Sequence, residues 1–98
     1  MGKFRLSRAA KRDVSDIVEY IALDNIDSAL GIEDQLVQTF RRLADNPLIG
    51  RERSDLIHGS RSFPVGAYLV IYRVWAGEVA IVRVVHGSRD LESLFGED

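Results

Sequence analysis

The sequence predicts an α+β fold in the order β-α-α-β-β-β: a first strand, two helices, then three strands. Three observations carry this expectation. Apolar residues recur at three- and four-residue steps through the first half of the chain. Aromatic and β-branched residues crowd the second half. Between them lies LIGRERSDLIHGS, residues 48–60, a stretch of turn formers and mixed charge. An N-terminal helical hairpin is therefore expected to pack on a small antiparallel sheet, in one domain spanning residues 1–98.

Phe4 and Leu6 alternate with Lys3 and Arg5, which predicts a short first strand. Ser7 is a good N-cap. After it, Val14, Ile17, Val18 and Ile21 form the apolar stripe of an amphipathic helix over about residues 8–24. Lys11, Arg12, Asp16 and Glu19 fall on its other faces. Asp24-Asn25-Ile26-Asp27 stops that helix and offers caps for a second. The second stripe runs through Ala29, Ile32, Leu36, Phe40 and Leu43, and it ends at Asn46-Pro47 because the residue before a proline disfavours helix. The connection is short, so the helices should be antiparallel.

Residues 48–60 read as an irregular connection. Arg61-Ser62-Phe63 reads as a short strand bounded by Pro64 and Gly66. Tyr68 to Trp75 and Glu78 to His86 read as the arms of a hairpin turning at Ala76-Gly77. Both arms are apolar on two faces, which makes the hairpin central and covered by helices on at least one side. Asp90 to Phe95 reads as a last helical turn.

Composition narrows the function. Apolar residues make up 46% and charged residues 29%, an ordinary globular balance. The formal net charge of −2 argues against a surface wholly devoted to nucleic acid. Arginines outnumber lysines eleven to two, which suits fixed, planar contacts with carboxylate or phosphate. Without cysteine there is no disulfide, no thiol chemistry and no Cys-ligated zinc. His58 and His86 have no partner at ligand spacing, so neither a metal nor any other cofactor is expected. No signal-peptide core and no membrane-length apolar run is present, so a cytoplasmic protein without membrane contact is expected.

No strong catalytic motif stands out. Gly50, Gly59 and Gly66 lack the spacing and the Lys-Ser/Thr of a phosphate loop. Ser60, Ser62 and Ser88 are turn residues without a nucleophile elbow. The arginines say more. Arg51, Arg53 and Arg61 flank the mid-chain loop, and Arg73, Arg83 and Arg89 come from the hairpin and its exit. A two-residue turn at Ala76-Gly77 would put Arg73 and Arg83 on opposite faces, and a three-residue turn would put them on one face. The plain reading pairs each arginine with one of the 15 carboxylates. Arg83 stands apart, because a charge in mid-strand between apolar neighbours costs free energy unless paired. His86 reads either as a donor into the turn at Gly87 or as a group titrating near neutral pH. Tyr68, Tyr72 and Trp75 read as sheet packing.

Four stretches occur in order: LSRAAKRDVSDIVEYIA, LADNPLIGRERSDL, SRSFPVGAYLVIYRV and VAIVRVVHGSRDL. Together, from Phe4 to about Leu91, they resemble the ParE branch of the ParE/RelE toxin superfamily, also known as plasmid stabilisation proteins. It implies a type II toxin that binds DNA gyrase, stalls it on cleaved DNA and has no chemistry of its own. It also implies a hetero-oligomer with a ParD-like ribbon-helix-helix antitoxin, and no sequence-specific nucleic-acid binding by the toxin itself. Arg61, Arg73, Arg83 and Arg89 are the expected target or partner contacts or their supports.

Relatives in the RelE branch instead cut messenger RNA on the ribosome, typically with lysines, arginines and a late tyrosine. Here the only lysines are Lys3 and Lys11, and no tyrosine follows Tyr72. Some superfamily nucleases use a Glu, an Arg and a late His, and the set that could imitate them here is Glu52, Arg61, Arg83 and His86. A third reading is a toxin homologue without activity that serves as an antitoxin partner.

Overall fold

The computed structural model describes residues 2–95. Strand β1 (Lys3–Leu6) leads into helix α1 (Arg8–Ala22) and helix α2 (Ile26–Asp45). Strands β2 (Arg51–Glu52), β3 (Ser60–Val65), β4 (Tyr68–Trp75) and β5 (Glu78–His86) follow, then a short helix α3 (Leu91–Phe95).

The caps fall where the sequence places them. Ser7 Oγ accepts from the Ala10 N–H at 3.0 Å and starts α1. Asn25 Oδ1 accepts from the Ser28 N–H at 3.0 Å and starts α2. α2 stops at Asn46, ahead of Pro47. Leu36, Phe40 and Leu43 of α2 join Ala10 and Ile17 of α1 in the core. Val65, Val70, Tyr72, Val79, Ile81 and Val84 complete it from the sheet. Phe4 packs on Phe40 with ring centroids 5.7 Å apart.

The sheet order is β1-β5-β4-β3-β2. β2 to β5 are antiparallel, as expected. β1 pairs parallel with β5, so the sheet is mixed rather than wholly antiparallel. A four-residue alternation carries no strand direction, and the long intervening chain supplies the crossover that parallel pairing needs.

β2 lies inside the stretch expected to be irregular. Two exposed charged residues carry no period; pairing with Arg61 and Ser62 makes them a strand. β3 is also longer than Arg61–Phe63, because Pro64 sits within it. Val65 and Tyr68 flank the two-residue turn at Gly66-Ala67 as its hydrogen-bonded pair. Pro64 therefore occupies the next, non-bonded position, where its missing N–H would point away from β4.

At Ala76-Gly77 both residues have positive φ, 52° and 78°, as a type I′ turn requires. This two-residue turn alone would oppose Arg73 and Arg83. A bulge then shifts the register: Tyr72 faces Ile81, but Ile71 faces Arg83. Arg83 is thereby registered on the face of Ile71 and Arg73. The sequence offers two turn types for this question, and the extra residue lies in neither.

Candidate functional site

The four arginines expected to make contacts, Arg61, Arg73, Arg83 and Arg89, occupy three different environments. The first is a knuckle after α2. Tyr72, fully buried on β4, donates its hydroxyl to the Pro47 carbonyl at 2.8 Å and accepts from the Gly50 N–H at 2.9 Å. Arg61 donates to the carbonyls of Gly50 (2.7 Å) and Leu48 (3.2 Å), and reaches Glu52 at 3.7 Å. Burial pushes the Tyr72 phenol above its ordinary pKa, against the opposing pull of the Gly50 N–H and the Arg61 charge. No side chain fits at residue 50, where a Cβ would press on the Tyr72 ring and hydroxyl and come within 2.9 Å of the Ser62 carbonyl. Gly50→Ala is expected to cost about 1–3 kcal/mol as overpacking, read as a lower urea midpoint.

The second environment answers the question posed by Arg83. Its Nε and terminal nitrogen bind the Asp13 carboxylate at 2.7 and 3.0 Å. The same carboxylate accepts from the Val84 N–H at 2.9 Å. Helix α1 is thus fastened to β5 by one acid and one base 70 residues apart. The hydrogen bond to Asp13 holds the guanidinium above its ordinary pKa, outweighing burial. No periodicity in the sequence singles out Asp13.

The third environment is open. Arg73 is exposed on β4, registered between Ser60 of β3 and Ala80 of β5. With Arg5, Val74, Trp75 and Ala80 it lines a cleft of about 380 Å³. Arg89 is exposed in the turn after β5, where its backbone N–H donates to the His86 carbonyl at 3.1 Å. Neither arginine forms an ion pair among the described residues.

His86 accepts where the sequence suggested a donor. Its Nδ1 takes the Ser88 N–H at 3.1 Å and lies 2.6 Å from the Ser88 hydroxyl. The ring meets Tyr68 edge-on at 5.4 Å. Glu52 and Arg61 are neighbours, and Arg83 is three residues from His86, but the two pairs do not converge. Glu52 belongs to the rung of Tyr72 and His86 to the rung of Tyr68. Four residues and three strand spacings separate them, about 20 Å. Among the described residues no group of acids and histidines could hold a metal ion. No helix among them is long and apolar enough to cross a membrane.

A feature outside the sequence reading is the exposed apolar end of the helical hairpin. Tyr20, Leu23, Ile26 and Leu30 are exposed there, beside a cleft of about 570 Å³. Tyr20 and Leu23 lie off the stripe of α1 and Leu30 off that of α2, which is the sequence sign of this patch.

Comparison with known proteins places this architecture. Residues 4–91 match the family described as ParE toxin of the type II toxin–antitoxin system parDE. Toxin ParE3 of Caulobacter vibrioides is 30% identical over 98 residues, covering 99% of this chain and 98% of the relative. Toxin ParE1 of the same organism is 33% identical over 97 residues, covering 98% and 100%. Among solved structures, a chain of the chromosomal ParDE toxin–antitoxin system of P. aeruginosa superposes with a TM-score of 0.73 at 22% identity, over 88% of this chain and 96% of that one. A chain of the RelBE2 toxin–antitoxin complex of Mycobacterium tuberculosis gives 0.58 at 25%, over 87% and 96%. The chain belongs to the ParE toxin family of type II toxin–antitoxin systems.

Proposed function

We propose that this toxin inhibits DNA gyrase by binding it, without chemistry of its own, and that a ParD-like ribbon-helix-helix antitoxin neutralises it. The match to the ParE family along residues 4–91 is the observation that carries the reading. The wide separation of Glu52 from His86 supports it, because a general acid and base must both reach one phosphodiester. The two lysines, on β1 and α1, supply no phosphate clamp near either residue. Arg73 and Arg89, without an ion pair among the described residues, present their guanidinium groups to a target or antitoxin. Arg61 and Arg83 hold the frame from which they project. The cytoplasm is the compartment where such a target is met.

Toxin freshly released from its antitoxin is expected to block supercoiling by gyrase and to accumulate cleaved plasmid. Normal supercoiling at high toxin excess would overturn this. Cut transcripts in arrested cells, lost with His86→Gln, would point to a nuclease. Harmless expression without antitoxin would point to an inactive homologue.

A further inference from the structure

The sheet face turned away from the helices carries an unused arrangement of charge and aromatic surface. Arg5, Ala80, Arg73 and Ser60 form one rung across β1, β5, β4 and β3. Lys3, Glu78 and Trp75 form the next rung. Residues of one rung share a face, so Arg5 and Arg73 stand about 10 Å apart at the backbone, over the small Ala80 side chain. Core residues Val79 and Ile81 alternate with Ala80, which places the helices on the other side.

These groups are left unsatisfied among the described residues. Arg5 and Arg73 are exposed and form no ion pair there. Trp75, the single tryptophan of the chain, is 74% exposed. Charge is also segregated between layers. The strands carry Lys3, Arg5, Arg51, Arg61, Arg73 and Arg83 against only Glu52 and Glu78, although the whole chain is acidic.

Two free guanidinium groups flanking a small residue suit an anion on each side. An exposed indole beside them suits a flat ring. A single nucleic-acid strand supplies both in every monomer, a phosphate and an unstacked base. A duplex keeps its bases stacked inside, and an acidic peptide brings a ring for the indole only where an aromatic residue is interspersed, whereas a nucleic-acid strand brings one with every phosphate. We infer that the Arg5–Ala80–Arg73 cleft with Trp75 binds single-stranded nucleic acid, its phosphates on the two arginines and one base stacked on the indole. Glu78 is the one anion of the two rungs and opposes the strand. This goes beyond the gyrase reading, and a test without gyrase keeps their failures apart.

The free full-length toxin is titrated with a short oligothymidylate, following tryptophan fluorescence and the anisotropy of a labelled strand. The indole emission is expected to be quenched. Affinity is expected to fall with salt at a logarithmic slope of about −1.4, for two phosphates at about −0.7 each. Trp75→Ala is expected to weaken binding about tenfold or more, whereas Trp75→Phe keeps a stacking ring and binds nearly as well by anisotropy. Arg5→Ala and Arg73→Ala should each halve the salt slope, and Glu78→Gln should tighten binding. Absence of quenching and of any anisotropy change at low salt would overturn the inference. Equal binding of polyglutamate would also overturn it, marking a carboxylate site, as would equal quenching by a duplex.

Discussion

Tyr72→Phe is expected to destabilise the fold by about 3 kcal/mol, although it removes a single oxygen, because a buried donor or acceptor left unpaired costs about 1–3 kcal/mol. That oxygen serves two backbone groups, the Gly50 N–H and the Pro47 carbonyl, and the ring fills the centre of the sheet. Arg61 still binds the Gly50 carbonyl in the variant, so the knuckle loosens without detaching. The urea midpoint should fall with little change in slope. A loss below about 1 kcal/mol would mean that water replaces the hydroxyl.

The same residue predicts alkaline behaviour. Burial raises the Tyr72 pKa in the folded state, so the unfolded chain ionises first. Above the ordinary tyrosine value of 10.0 the unfolded state binds fewer protons than the folded one, and stability falls as pH rises. The contribution is complete below that value and is lost as pH climbs through the folded pKa. Tyr72→Phe should flatten this part of the stability curve, relative to its own lower baseline.

Asp13→Ala is the second large effect, about 2–3 kcal/mol, since removing one partner of a partly buried pair leaves the other charge without its counter-ion. Here it also strands the Val84 N–H. Asp13→Asn keeps an acceptor for that N–H and should cost about half as much. A double change with Arg83→Met should cost less than the sum of the single changes, since no unpaired guanidinium remains. Strict additivity in denaturant unfolding would show that the contact contributes no coupling.

Most of the fold was legible because it rests on period. The stripes of α1 and α2, the caps at Ser7 and Asn25 and the β4–β5 hairpin all repeat a local rule. Three features follow no local rule. β2 is two charged residues made into a strand by their partner. The direction of β1 is set by where the chain returns. The bulge at Ile71/Tyr72 is a choice of pairing that leaves no mark on composition.

The site was legible in a different way. Arg83 could be singled out because a charge among valines demands a partner, but the partner lay 70 residues away on a helix. Arg61, Arg73 and Arg89 looked alike in sequence. The structure separates them by whether backbone carbonyls or solvent receive the guanidinium group.

The clasp between α1 and β5 also bears on how the molecule stays apart from its neighbours. β1 covers β5 only as far as Ile81, which leaves backbone groups beyond it at the border of the sheet. Such a border is a template on which a strand from another molecule can grow. Here the Ser7 hydroxyl donates to the Val82 carbonyl at 2.8 Å, and Asp13 takes the Val84 N–H. Two side chains imitate the missing rungs of a strand without offering a further edge. Asp13→Ala would therefore do more than loosen a helix: it would expose a valine-rich border, and aggregation on storage should rise with it.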